Sequence, residues 1–200
     1  MTESATPAIL RDATSLLLLR GIGAHTEVLM GMRGANHKFM PNHLVFPGGA
    51  VDADDHYAPV KAPARAEILQ RLSPNRNFAH ALAHAAAREL EEETGLHLGI
   101  PPDLSGFDYL CRAITPAGRP IRFDARFLIA DAALLQGTLA GSGELENLSW
   151  YGVPEALALD LSYPTRKVTE QLRDWLTLTP EARAARVGTP TLRERNWTLE

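Results

Sequence analysis

The chain has 200 residues, 45% hydrophobic and 22% charged, which supplies one sizeable core and excludes wholesale disorder. A net charge of −4 argues against a nucleic-acid backbone as the main partner, and the lone cysteine, Cys111, excludes an internal disulfide or a cysteine-built zinc site. No apolar run approaches the ~18 residues that cross a membrane. The expected setting is therefore reducing and cytoplasmic, with no membrane contact.

In chain order, residues 1–11 read as a loose tail. Ala13 to Arg20 reads as a strand ended by Gly21 and Gly23, and Glu27 to Arg33 as its hairpin partner. A polar loop follows, then a short strand from His43 to Phe46. It runs into Pro47-Gly48-Gly49, a sharp turn that brings backbone close to a neighbour. Residues from about 56 to 77 have the texture of a surface insertion, with one short helical stretch from Ala64 to Leu72. Ser73-Pro74 then offers a helix start. Asn77 to Thr94 is a strong helix, rich in alanine, with Gly95 at its stop. Phe107 to Thr115, Ile121 to Ala130 and Leu145 to Tyr151 read as strands, with Cys111 inside the first. Val153 to Leu159 and Thr165 to Leu178 read as helices, the second with Val168, Leu172, Trp175 and Leu176 on one stripe. Residues 180–200 are expected to hold a short helix and then a tail from 188 to 200. Strands on both sides of one long helix predict a single α/β domain over 1–200, a mixed sheet between helices.

The chemistry concentrates in Arg88-Glu89-Leu90-Glu91-Glu92-Glu93-Thr94-Gly95-Leu96. On a helix, Glu89, Glu92 and Glu93 share one face, and they crowd the end where the macrodipole disfavours anions. A divalent cation relieves that repulsion, and carboxylate oxygens suit Mg²⁺ or Mn²⁺. The plain alternative is a solvated acidic helix end. Against it stand the adjoining Arg88 and the upstream Phe46-Pro47-Gly48-Gly49, whose carbonyls are available to a metal. His80 and His84, one turn apart, lack the intervening glutamate of a metalloprotease helix.

These residues resemble the Nudix hydrolase box, G-x5-E-x7-R-E-U-x-E-E-x-G-U with U bulky and apolar. Arg88, Glu89, Leu90, Glu92, Glu93, Gly95 and Leu96 match its second half, and Gly49 its first glycine. Asp55 stands where the first glutamate belongs. Between Asp55 and Arg88 lie 32 residues where the box has seven, an insertion of 25. The split box, together with Ile114-Thr115-Pro116, Arg122-Phe123-Asp124 and Arg126-Phe127, is similar to a peroxisomal branch that cleaves coenzyme A and its thioesters. A second coenzyme A signature is not matched, since Lys38 and Asn42 replace its arginine and glycine. The chain ends Thr198-Leu199-Glu200, which is no peroxisomal tripeptide.

The resemblance implies a Nudix fold, an α/β/α sandwich with a helical insertion inside the box, forming a lid or flank near the site. It implies Mg²⁺ or Mn²⁺ held by Glu89, Glu92, Glu93 and the Gly49 carbonyl, with Arg88 orienting a glutamate. It implies a catalytic base that is a box glutamate or a later acid, Glu144 or Glu146. Arg33, Lys38, Arg122 and Arg126 are the expected phosphate contacts, and Phe39 and Trp150 are candidates to stack on a base. The implied substrate is a small nucleoside diphosphate derivative, coenzyme A first and ADP-ribose or a nucleotide sugar second. A nucleotide-binding module without catalysis is the reading from another class, and a homodimer is compatible with the family.

Overall fold

The computed structural model describes residues 8–35 and 40–200. The strands in chain order are β1 (Leu10–Arg20), β2 (Glu27–Arg33), β3 (Leu44–Val45), β4 (Gly48–Ala50), β5 (Leu96–His97), β6 (Asp108–Ile114), β7 (Arg122–Asp131), β8 (Gln136–Gly137), β9 (Leu145–Gly152), β10 (Pro190–Arg193) and β11 (Asn196–Leu199). The helices are α1 (Ala66–Leu72), α2 (Arg76–Thr94), α3 (Val153–Ala158), α4 (Tyr163–Leu176) and α5 (Pro180–Ala184).

One mixed sheet organises the chain, in the order β11-β10-β6-β7-β1-β2-β3, with β4 on β1 and β9 on β2. Its spine is the parallel pairing of β1 with β7, from Leu10 opposite Arg122 to Leu19 opposite Asp131. The run Leu16-Leu17-Leu18-Leu19 is buried on both faces, as a central strand between two layers requires. Leu16 and Leu18 face α2, with Leu82, Ala83, Ala86 and Leu90. Leu17 and Leu19 face α4, with Val168, Leu172 and Trp175. Cys111 is buried in this second layer. The architecture is thus the expected α/β/α sandwich.

Alanine lets α2 lie close to the sheet: Ala79, Ala83 and Ala86 are fully buried there. The helix starts two residues later than Ser73-Pro74 suggests. Asn75 caps it, its side chain accepting from the Phe78 N–H at 3.2 Å. Gly95 ends it at φ 70°, the left-handed stop that a glycine adopts without strain.

Two expectations are corrected. The inserted stretch does not close over the site as a lid. Its helix α1 buries Ile68 and Leu72 in the α2 layer, with Ala64 just ahead of it, and the segment is tied down by the Lys61 N–H on the Pro102 carbonyl and the Leu104 N–H on that of Ala62. The polar texture of the segment hid a three-residue apolar stripe at helical spacing. Residues 188–200 are not a tail either. They form the hairpin β10–β11, and β10 adds in parallel to β6, Thr191 beside Arg112. Its two-residue turn, Glu194-Arg195, has φ of 48° and 68°, a conformation usually announced by Asn-Gly.

If α1 is part of the core, Ile68→Ala destabilises the chain by about 2–5 kcal/mol in denaturant unfolding. A loss below about 0.5 kcal/mol is what a surface appendage would give.

Candidate functional site

The site forms where the C-terminal half of α2 meets the turn from Phe46 to Ala50. Two glycines permit the meeting. A Cβ on Gly49 would stand 2.4 Å from the Glu89 carboxylate, and one on Gly48 would collide with the backbone of Thr14 and Ser15. The Gly48 N–H donates to Glu93 Oε2 at 2.7 Å, so turn and helix are tied by a buried hydrogen bond.

Arg88 is the second tie. Its Nε donates to Asp55 Oδ1 at 3.1 Å and its Nη2 to Asp55 Oδ2 at 3.0 Å. The same Nη2 reaches the Ala50 carbonyl at 3.0 Å, and Nη1 reaches Glu89 Oε1 at 2.8 Å and Glu92 Oε2 at 3.0 Å. Asp55, only 1% exposed, also takes the His84 ring at 2.8 Å and the Asp52 N–H at 2.8 Å. The shortened acid therefore braces the arginine rather than reaching toward the glutamates. His84 serves that brace, and His80 holds the Ala58 carbonyl at 2.9 Å. Burial opposes the charge of Asp55, but hydrogen bonds from His84, Arg88 and Asp52 outweigh it and hold the carboxyl well below its usual range.

The glutamates differ in environment. Glu92 is 56% exposed on its side chain, whereas Glu93 is 1% exposed as a residue. Burial raises the Glu89 carboxyl, with Glu92 and Glu144 adding to the rise. Burial lifts Glu93 further, from 4.5 to about 8. The Gly48 N–H and Arg33 work against the rise, and Glu89 and Glu144 add to it. Among the described residues, no three His, Cys, Asp or Glu side chains stand close enough together to enclose a cation. Arg88 holds two of the box glutamates and Gly48 the third. Even so, the donor set suits one: Glu93 Oε1 is buried with no hydrogen-bond partner among the described residues, and the acids raise one another's affinity for positive charge.

Beside the glutamates opens a cavity of about 860 Å³. Glu89, Glu92, Arg88, Gly49 and Glu144 line one part of it, and Arg33 a flank. Glu144 is placed by its own carbonyl, which accepts the Gly34 N–H at 3.2 Å. Glu146 lies on β9 opposite Met32 and does not line the cavity. Arg122 and Arg126 do not line it either. Along β7 the odd positions Phe123, Ala125 and Phe127 face the cavity, as does Ile121 just before the strand, so the even ones point through the sheet to its other side. There Arg122 donates to the Thr115 carbonyl, and Arg126 pairs with Asp12 and Asp124. Lys38 and Phe39 fall outside the described residues. Trp150 packs against the α2 layer under the Arg20 guanidinium, 4.5 Å from its ring centre. Arg11, Arg119 and Arg195 line the cavity and had no signal in the sequence. Arg11 sits at the edge of an apparent tail, Arg119 in a turn, and Arg195 in the tip of the unforeseen hairpin.

The raised Glu93 carboxyl has a sign. Stability from keeping it neutral is fully present below pH 4.5 and is lost as pH rises through about 8. In a chelator, the wild-type melting temperature falls across this window, and Glu93→Gln flattens the fall. Parallel calorimetric curves for the two proteins would contradict the burial of a neutral acid.

No family model matches the chain. A curated Caenorhabditis elegans protein provisionally named nudix hydrolase 7 is 28% identical over 190 residues, covering 82% of this chain and 62% of that protein. The chain thus spans less than two thirds of that relative's length. Among solved structures, a NUDIX hydrolase from Alicyclobacillus acidocaldarius superposes with a TM-score of 0.68 at 24% identity, covering 89% of this chain and 97% of its own. The NUDIX domain of Shewanella oneidensis NrtR, complexed with ADP ribose, superposes at 0.55 and 18% identity, over 88% and 94%. The MutT protein of Methanosarcina mazei Go1 gives 0.59 at 17% identity, over 86% and 98%. The sandwich built on β1 and α2 is the Nudix fold.

Proposed function

We propose that this chain is a divalent-metal-dependent Nudix pyrophosphohydrolase that cleaves the diphosphate of a nucleoside diphosphate derivative, coenzyme A or its thioesters first. The observation that carries the reading is the placement of Glu89 and Glu92 on the wall of a cavity whose remaining charge is largely arginine, with Glu93 buried directly behind them on the same helix.

The division suits a diphosphate ester. Glu89, Glu92, Glu93 and the Gly49 carbonyl would hold Mg²⁺ or Mn²⁺. The bound metal supplies neutralisation of the diphosphate and a water of lowered pKa. Arg88 fixes the rotamers of Glu89 and Glu92, and Asp55 fixes Arg88, so the acids are held in place before substrate arrives. Glu144 faces the same space and is the acid positioned to take a proton from an attacking water, ahead of Glu146 on the flanking strand. Arg11, Arg33, Arg119 and Arg195 replace Arg122 and Arg126 as the groups to meet phosphate. Several separate cations favour a substrate with phosphate beyond the scissile pair, as the 3′-phosphate of coenzyme A provides. Tyr163 at the rim, its hydroxyl on the Arg195 carbonyl at 2.9 Å, offers an aromatic face to a base.

ADP-ribose is the second reading, favoured by the ligand of the Shewanella NUDIX domain that shares the fold. A binding module without catalysis is disfavoured, because the three later box glutamates, Glu89, Glu92 and Glu93, are kept.

With Mg²⁺ and coenzyme A, mass spectrometry is expected to find 3′,5′-adenosine diphosphate and 4′-phosphopantetheine. Glu92→Gln lowers the rate by about a hundredfold or more. Intact coenzyme A beside cleaved ADP-ribose would overturn the substrate and keep the chemistry. If both stayed intact, hydrolysis itself would be refuted. Gly49→Ala is expected to cut activity while the fold persists by circular dichroism, since its Cβ must displace the Glu89 carboxylate.

A further inference from the structure

On the α2 face of the sheet, behind the β7 residues that wall the large cavity, lies a smaller pocket of about 290 Å³. Three arginines line it: Arg71 from the last turn of α1, Arg112 from β6 and Arg126 from β7. Ser73, Thr189 and Thr191 add hydroxyls, and Glu200 is the one carboxylate on its wall.

The charges do not balance. Arg112 is taken by Asp124, with Nε at 2.6 Å, and by Glu200 at 3.1 Å. Arg126 is taken by Asp12 at 2.6 Å and by Asp124 at 3.2 Å. The remaining nearby acid, Asp108, is bound by Arg65 at 2.6 Å. Arg186, also close, spends its charge on the Tyr109 and Leu110 carbonyls. Arg71 has the Tyr109 ring, 5.7 Å from its guanidinium carbon, and among the described residues no acid within salt-bridge distance.

Hydrogen bonding tells the same story. Among the described residues, Arg71 Nε and Nη2 are buried without a partner, and so is Nε of Arg126, a residue only 6% exposed. Two arginines on one pocket wall thus each hold an Nε–H with no acceptor, a condition that costs about 1–3 kcal/mol per group if left unmet. Ser73 Oγ accepts from the Asn75 N–H at 3.1 Å, which leaves its own proton to donate. Unmet donors, surplus positive charge and a hydroxyl around a small volume match a compact anion with several acceptor oxygens.

We infer that this pocket binds a small phosphate-class oxyanion, either inorganic phosphate or the phosphate of a phosphomonoester, through Arg71, Arg126 and Ser73. The site is separate from the proposed catalytic cavity and does not depend on that assignment. Asp124 and Arg126 on β7 alternate with Phe123 and Ala125, which line the cavity, so both pockets share one strand.

The test titrates inorganic phosphate into the full chain, in a chelator and at constant ionic strength. Arginine Nε–H resonances are followed by ¹H–¹⁵N NMR. The expected result is a saturable shift of the Arg71 and Arg126 resonances in the wild-type protein. By calorimetry, Arg71→Met weakens binding at this site by about tenfold or more, while Arg119→Gln in the other cavity leaves it unchanged. Glycerol 3-phosphate run in parallel separates the free ion from a phosphomonoester: tighter binding of one names the ligand form. An Arg71 resonance unmoved by either probe, or saturable shifts confined to Arg33, Arg119 and Arg195, would overturn the inference.

Discussion

Arg88 is the hinge-pin of this molecule's chemistry. A guanidinium offers five N–H donors in a rigid plane. Here they are divided between Asp55, Glu89, Glu92 and the Ala50 carbonyl, which belong to three different segments. The helix end carries acids that the helix dipole and mutual repulsion both disfavour. One half-buried cation holds two of them in place, and the buried acid Asp55 holds the cation. Without that chain of ion pairs, the turn from Phe46 to Ala50 and the end of α2 would be joined mainly by the Gly48–Glu93 hydrogen bond.

The inserted residues gain meaning from the same interaction. Asp55 sits at the mouth of the insertion, and Asp52, His84 and Arg88 anchor it from both sides. The extra length then runs away from the site, adds α1 to the α2 layer, and returns. Because the anchor lies at the start of the insertion, 25 added residues leave the geometry of the glutamates intact. A longer loop between fixed ends adds only a slowly growing entropic cost, and the buried face of α1 offsets it.

Strand alternation decides which arginines serve which pocket. On β7 a shift of one residue moves a side chain from one face of the sheet to the other. Arg122 and Arg126 therefore belong to the far face, although they stand beside Phe123 and Phe127 of the cavity wall. The cations on the near face come instead from the start of β1, the end of β2, the loop before β7 and the β10–β11 turn. These segments are distant in sequence and adjacent only after the sheet has formed.

What the sequence determined by itself was local. The alanine run and Gly95 defined α2, the leucine run defined the central strand, and the spacing of Glu89, Glu92 and Glu93 defined an acidic helix face. Each follows from periods of 3.6 and 2, and from the φ that glycine tolerates. The α/β/α layering also followed, since strands flanking one long helix must bury both faces of a sheet. Only the tertiary structure decided that Asp55 braces Arg88, that α1 is core, that Glu144 rather than Glu146 meets the cavity, and that residues 188–200 form a hairpin delivering Arg195. Those outcomes rest on contacts between residues far apart in the chain, on the phase of a strand, and on a turn at positive φ without glycine. None of these leaves a mark in a local window of sequence.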